Sequence, residues 1–175
     1  MSQFVNPNNR KTQWMFALLL LIALVWLAVI FLPPWLMASG HQFAALSLYR
    51  GLSGICHQIP ERSFHLWGFP LAVCSRCTGI YFGFLLGLML YPFFRSLNDQ
   101  TTPSRVWLAI AALPMLIDVG GNFVGLFNNT FFSRTATGIL VGGVAAFFVL
   151  PAWVALVSPQ YAEPPEHTFK EHFSA

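Results

Sequence analysis

Four stretches of this chain carry little or no charge: Trp14 to Met37, Cys77 to Phe94, Val106 to Ser133 and Thr135 to Ala162. An α-helix rises about 1.5 Å per residue and a bilayer core is about 30 Å thick, so about 20 apolar residues suffice to cross it. The first, third and fourth stretches are long enough; the second is slightly short and can borrow length from Leu71 to Arg76. Composition agrees, with 56% hydrophobic and 9% charged residues against about 25% charged in a soluble domain. The expected fold is all-α: a polytopic membrane protein of four transmembrane helices, with a long ordered extracytoplasmic segment before the second. Residues 1–40 form the N-terminal tail and first helix, 41–160 the cysteine-bearing segment and a three-helix membrane core, and 161–175 a disordered tail. With the basic residues mostly at membrane boundaries, the formal charge of +3 is no sign of nucleic-acid binding; the bilayer is the first partner.

Arg10 and Lys11 followed by an apolar run resemble a signal peptide, with cleavage after Ala38 as the alternative. The run is longer than a usual signal core, however, and no clean small-x-small site follows it. Pro33 and Pro34 are expected to end a retained helix at about Leu32, bracketed by Trp14 and Trp35 as interfacial anchors. With four spans, Arg10, Lys11, Arg95, Arg105 and Lys170 fall on one side, and Arg50, Arg62, Arg76 and Arg134 on the other. That balance places both termini in the cytoplasm and the cysteine segment outside.

Residues 38–76 are more than a connection. Phe43, Leu46, Tyr49, Leu52 and Ile55 recur every three residues, which predicts a helix lying on the membrane surface. Gly51 and Gly54 then loosen the chain, and Pro60, Gly68 and Pro70 mark ordered turns. Within the spans, Gly79, Gly83 and Gly87, then Gly138 and Gly142, then Gly121 and Gly125, repeat at four-residue spacing. They predict small-residue ridges where helices approach closely.

All three cysteines cluster at one boundary. Cys74-Ser-Arg-Cys77 has the C-x2-C spacing that binds one metal ion or forms a disulfide, and Cys56-His57 stands 18 residues upstream of Cys74. Three thiolates with His57, or with His65 in its place, would complete a tetrahedral zinc site with no open position. Such a metal would pin the loop to the head of the second helix. Adjacent side chains diverge, so Cys56 and His57 can share an ion only where the backbone turns sharply. Redox thiols and inert buried cysteines are the other readings.

Asp118, near the middle of the third stretch, must face inward and be protonated or paired, because a charge at that depth costs a few kcal/mol or more. Asn122 lies one turn on and Pro114 one turn back. Pairing with Arg134, at the outer end of the fourth span, would need that arginine to sit deep: Asp118 is expected about 14 Å below the boundary.

The stretches CHQIPERSF, GFPLAVCSRCTGIYFG, LPMLIDVGGN and SRTATGILVGG, over roughly residues 50–145, resemble a family of small prokaryotic membrane proteins known as a domain of unknown function. The resemblance implies a prokaryotic cytoplasmic membrane. It also implies that Cys56, His57, Arg62, Cys74, Arg76, Cys77, Asp118, Asn122, Arg134 and Gly138 belong together, without naming a reaction. Three function classes fit. One is a protein with a zinc site that serves a membrane-protein partner or lipid ligand through Arg62, Arg76 and Arg134. Another is a thiol–disulfide oxidoreductase linked to quinone; similar four-span enzymes use a second cysteine pair, where only Cys56 is present here. The third is a small accessory subunit of a larger membrane complex. No nucleotide loop, serine triad or paired-carboxylate motif supports a kinase or hydrolase.

Overall fold

The computed structural model describes residues 7–99 and 101–157, so the tail expected over 161–175 lies outside the described residues. Its elements are α1 (Pro7–Ala38), α2 (Gln42–Leu52), a 3-10 turn (Pro60–Arg62), β1 (His65–Leu66), β2 (Phe69–Pro70), α3 (Ser75–Phe94), α4 (Arg105–Phe123) and α5 (Phe131–Val157). Four of these, α1, α3, α4 and α5, are long and apolar enough to cross a membrane. The fold is that of an all-α polytopic membrane protein. Residues 39–74 and the α4–α5 connection share one end of the bundle, here called the cysteine-bearing end.

Two helix boundaries differ from the sequence expectation for one reason. Helix α1 runs through Pro33 and Pro34: both rings are fully buried, and packing holds the helix across the two missing N–H groups. It stops instead at Gly40, whose φ is +82°. The N–H of His41 donates to Leu36 O at 2.9 Å and that of Gly40 to Met37 O at 3.2 Å, the crossed pair of a Schellman C-cap. Helix α4 ends the same way. Leu126 N–H donates to Gly121 O at 2.9 Å and Gly125 N–H to Asn122 O at 3.3 Å, with Gly125 at φ +74°. Gly125 therefore caps a helix and belongs to no ridge, and the third span ends at Phe123 rather than Ser133. Helix α3 takes only Ser75 and Arg76 from the segment before Cys77, and α5 begins at Phe131, four residues earlier than its uncharged stretch.

Helices α3 and α5 run parallel and make the closest contact in the bundle. Their glycine ridges face each other. A Cβ at Gly79 would sit 2.5 Å from the Thr135 carbonyl oxygen, and Cβ atoms at Gly83 and Gly142 would fall closer still to the carbonyl oxygens of Ile139 and Ile80. Such backbone approach is what small residues supply between membrane helices. Gly121 is small for a different reason, since it leaves room for the Phe127 ring. Helix α1 closes the opposite side, with Leu19 and Ala23 packed against Leu85, Leu88 and Ala146. Helix α4 lies at the edge, against α5 and with little backbone approach to α3.

Helix α2 includes Gly51. A strict three-residue period drifts around a 3.6-residue helix, so its apolar residues divide: Ala45 and Leu52 are buried, while Phe43 is 87% exposed and Leu46 also faces outward. Strands β1 and β2 pair as His65 with Pro70 and Leu66 with Phe69. Trp67 and Gly68 between them have φ of 52° and 83°, the two positive values that a type I′ turn needs. Leu71 N–H donates to Phe64 O at 2.7 Å, and the Phe64 ring lies 5.6 Å from that of Phe131 at the start of α5. The segment is thus fastened over the helix ends.

Candidate functional site

Two elements deliver the cysteines. Cys56 follows α2, with its N–H on Leu52 O at 3.3 Å. Cys74 is the N-cap residue of α3, and Cys77 lies one turn further on. Their sulfurs all lie within 4.8 Å of one another, and Cys74 N–H points at Cys56 Sγ at 3.3 Å. Ile30 and Val73 pack against Cys56, and Trp26 and Tyr81 border the cluster. Helix α1 therefore supplies part of the wall around the sulfurs. A hydrogen bond from the Cys77 thiol holds the Cys74 thiol low, at about 5, against burial, which pushes it up; the Cys77 N–H, the Cys56 thiol and the Arg76 N–H act in the same lowering direction.

Neither histidine joins the sulfurs. Cys56 is 7% exposed and turned inward, while His57 is exposed. Gln58, at φ +50°, reverses the chain just after them, and its amide is tied to Tyr49 O at 2.8 Å. The turn carries the chain onward and leaves the two neighbouring side chains diverging, so His57 does not group with the sulfurs. His65 is exposed on β1, away from the cluster. Among the described residues the three sulfurs group without a histidine, where the sequence expectation adds one.

Beside the sulfurs opens a cavity of about 480 Å³, bordered by Arg62, Arg76, Arg134, Asn122 and Asn129 as well as by His57 and all three cysteines. Of the residues that the sequence groups together, Cys56, His57, Arg62, Cys74, Arg76, Cys77, Asn122 and Arg134 border this space; Asp118 and Gly138 do not, although Gly138 lies against the backbone of Arg76 and Ile80. Asp118 is 6% exposed and faces inward. Its partner is Arg76, not Arg134: the Arg76 Nη2 donates to Asp118 Oδ2. Because α4 ends at Phe123, Asp118 sits toward the helix end rather than at its middle, level with the first turn of α3. Asn122 donates to Phe127 O at 3.3 Å, so Gly121 and Asn122 serve the loop and the cavity rather than a glycine ridge.

Asn129 is the residue that sequence reasoning missed. Its Nδ2 donates to both Asp118 O and Oδ2 at 3.3 Å. Its Oδ1 accepts from Arg134 Nε at 2.8 Å and from Nη2 of the same guanidinium. One carboxamide thus connects Arg134 to Asp118 and so to Arg76. The polar pair Asn128-Asn129 in a largely apolar stretch was the available signal.

The comparisons fit this picture. Residues 56–148 match the family described as "Predicted membrane protein (DUF2085)". An uncharacterized protein of Methanocaldococcus jannaschii is 34% identical over 151 residues, which cover 83% of this chain and 97% of that one. An uncharacterized protein of Methanothermobacter thermautotrophicus is 37% identical over 89 residues, 50% of this chain and 78% of the relative. No solved structure matches the chain. The matched span holds every cysteine, the three cavity arginines, Asp118 and Asn129, and the chain belongs to this family of membrane proteins.

Proposed function

We propose that this protein holds one zinc ion on Cys56, Cys74 and Cys77, at the extracytoplasmic boundary of a prokaryotic cytoplasmic membrane. The observation that carries the reading is the mutual approach of the three sulfurs to within 4.8 Å. Thiolates around one tetrahedral zinc, each about 2.3 Å from it, stand about 3.8 Å apart, so a small closure suffices. Zinc stabilises the thiolates it binds, which suits sulfurs held this close together. With neither His57 nor His65 grouped with the sulfurs, the fourth position is open to the arginine-lined cavity, which favours a ligand-responsive site over a closed structural one. The orientation rests on the basic residues: Arg62, Arg76 and Arg134 have a place in the cavity, leaving Arg50 against Arg10, Lys11, Arg95, Arg105 and Lys170 as topology signals.

A second reading is the quinone-linked thiol–disulfide oxidoreductase. It is favoured by the reach of Cys56 to both sulfurs of the C-x2-C pair. It is also favoured by an apolar cavity of about 290 Å³ beside Trp26 and Tyr81, the same two rings that border the sulfurs. Elemental analysis of the purified protein, with a free-thiol count before and after chelation, separates the two. One zinc per chain, and three thiols that react only after chelation, supports the metal site. No metal and at most one reactive thiol without reductant supports the redox enzyme. No metal and three thiols reactive from the outset removes both.

A further inference from the structure

We propose that the cavity beside the sulfurs binds a phosphate-type oxyanion on Arg62 and Arg134, an inference that goes beyond the metal site and does not require it. Charge at this end of the bundle is out of balance. Among the described residues three arginines border the cavity and no carboxylate does. Asp118, just outside it, neutralises Arg76. Glu61 lies on the turn beside Arg62 and makes no ion pair with it. Among the described residues the Arg62 guanidinium has neither a hydrogen-bond nor an ion-pair partner. Arg134 spends Nε and Nη2 on Asn129, a neutral group that orients the fork and leaves its charge and Nη1 unused.

The helices sharpen the imbalance. The parallel helices α3 and α5 both begin here, and neither has an acid in its first turn. Arg76 and Arg134 occupy those first turns, where the partial positive charge of a helix N-terminus disfavours a cation and favours an anion. Three thiolates on a zinc ion, or a single free thiolate, would each bring one negative charge. Either state still leaves one arginine uncompensated. Guanidinium groups recognise phosphate through paired, charge-assisted hydrogen bonds. The cavity is far larger than a bare oxyanion, and Ile80, Val119 and Phe123 give it an apolar wall. Its shape therefore suits either a phospholipid headgroup with its chains along that wall or a soluble phosphate compound.

The test uses the full chain in neutral detergent. Inorganic phosphate is titrated calorimetrically at constant ionic strength. In parallel, native mass spectrometry measures lipid retained from vesicles of phosphatidylglycerol and of phosphatidylcholine. The parent is compared with Arg62→Gln, with Arg62→Gln/Arg134→Gln, and with Arg95→Gln at the opposite end. Arg62 is exposed and bonds to nothing described, so Arg62→Gln tests the proposal even where loss of the Asn129 contact unfolds the double variant. Arg62→Gln is expected to weaken binding about tenfold or more, while Arg95→Gln leaves it unchanged. Phosphate binding without phosphatidylglycerol retention assigns a soluble oxyanion; selective retention of phosphatidylglycerol assigns a headgroup. Equal binding of both probes by parent and Arg62→Gln, or binding of neither by the parent, overturns the proposal. Zinc content measured in the same samples keeps this outcome separate from that of the metal reading.

Discussion

Arg76 in the first turn of α3 holds the carboxylate of Asp118 near the end of α4, and this ion pair ties together two helices with little backbone contact of their own. Asp118→Asn leaves a half-buried guanidinium without its charge partner. Such a loss should destabilise the protein by about 2 kcal/mol or more, and Arg76→Gln should cost a similar amount. The double variant should recover part of the combined loss. A double-mutant cycle on thermal unfolding in detergent reads this coupling, and single variants as stable as the parent would rule it out.

The metal ligands can be tested by substitution. Cys56→Ser, Cys74→Ser and Cys77→Ser should each lower bound zinc to a small fraction of one per chain, since two thiolates hold it weakly. His57→Ala and His65→Ala should leave zinc content unchanged, because both imidazoles are exposed and neither groups with the three sulfurs. Loss of zinc in either histidine variant would contradict the three-sulfur site.

Close packing of α3 on α5 gives a third prediction. Gly83→Ala must push a methyl group into the Ile139 backbone, and should cost about 1–3 kcal/mol as overpacking. Gly120→Ala meets nothing within 4 Å and should be neutral, or stabilising by up to about 1 kcal/mol through helix propensity. Thermal unfolding of the two variants side by side checks the contrast. The same shift in both would mean that propensity, not contact, governs the ridge.

The hairpin supplies a fourth. Trp67 occupies a left-handed conformation at φ 52° that suits Asn far better than a bulky ring. Trp67→Asn should therefore stabilise the turn by about 1 kcal/mol. Slower amide exchange at Leu66 and Phe69 would report it, and faster exchange would show that the exposed indole contributes more by anchoring at the membrane interface than its backbone costs.

Much of the architecture was legible in the sequence because transfer into a bilayer depends on length and polarity, and both can be read residue by residue. The four spans, the small-residue ridges on α3 and α5, and the clustering of all three cysteines at one boundary follow from that kind of reading; that the two ridges face each other does not. Helix ends were less legible. Pro33 and Pro34 resembled a stop signal, yet burial of their rings carries α1 on to Gly40. Gly125, spaced like a packing glycine, became a cap, because crossed hydrogen bonds rather than spacing make a Schellman turn.

The sequence by itself determined that Asp118 must face inward, that Arg62, Arg76 and Arg134 would lie at the same end as the cysteines, and that three sulfurs were available there. Only the tertiary structure decided how they pair. Ending α4 at Phe123 raises Asp118 to the level of Arg76, and Asn129 fills the distance to Arg134. The left-handed turn at Gln58 leaves His57 outside while Cys56 turns in. Each outcome depends on where a helix stops or a chain reverses, and those points are fixed by bonds between residues distant in sequence, beyond the reach of periodicity and spacing.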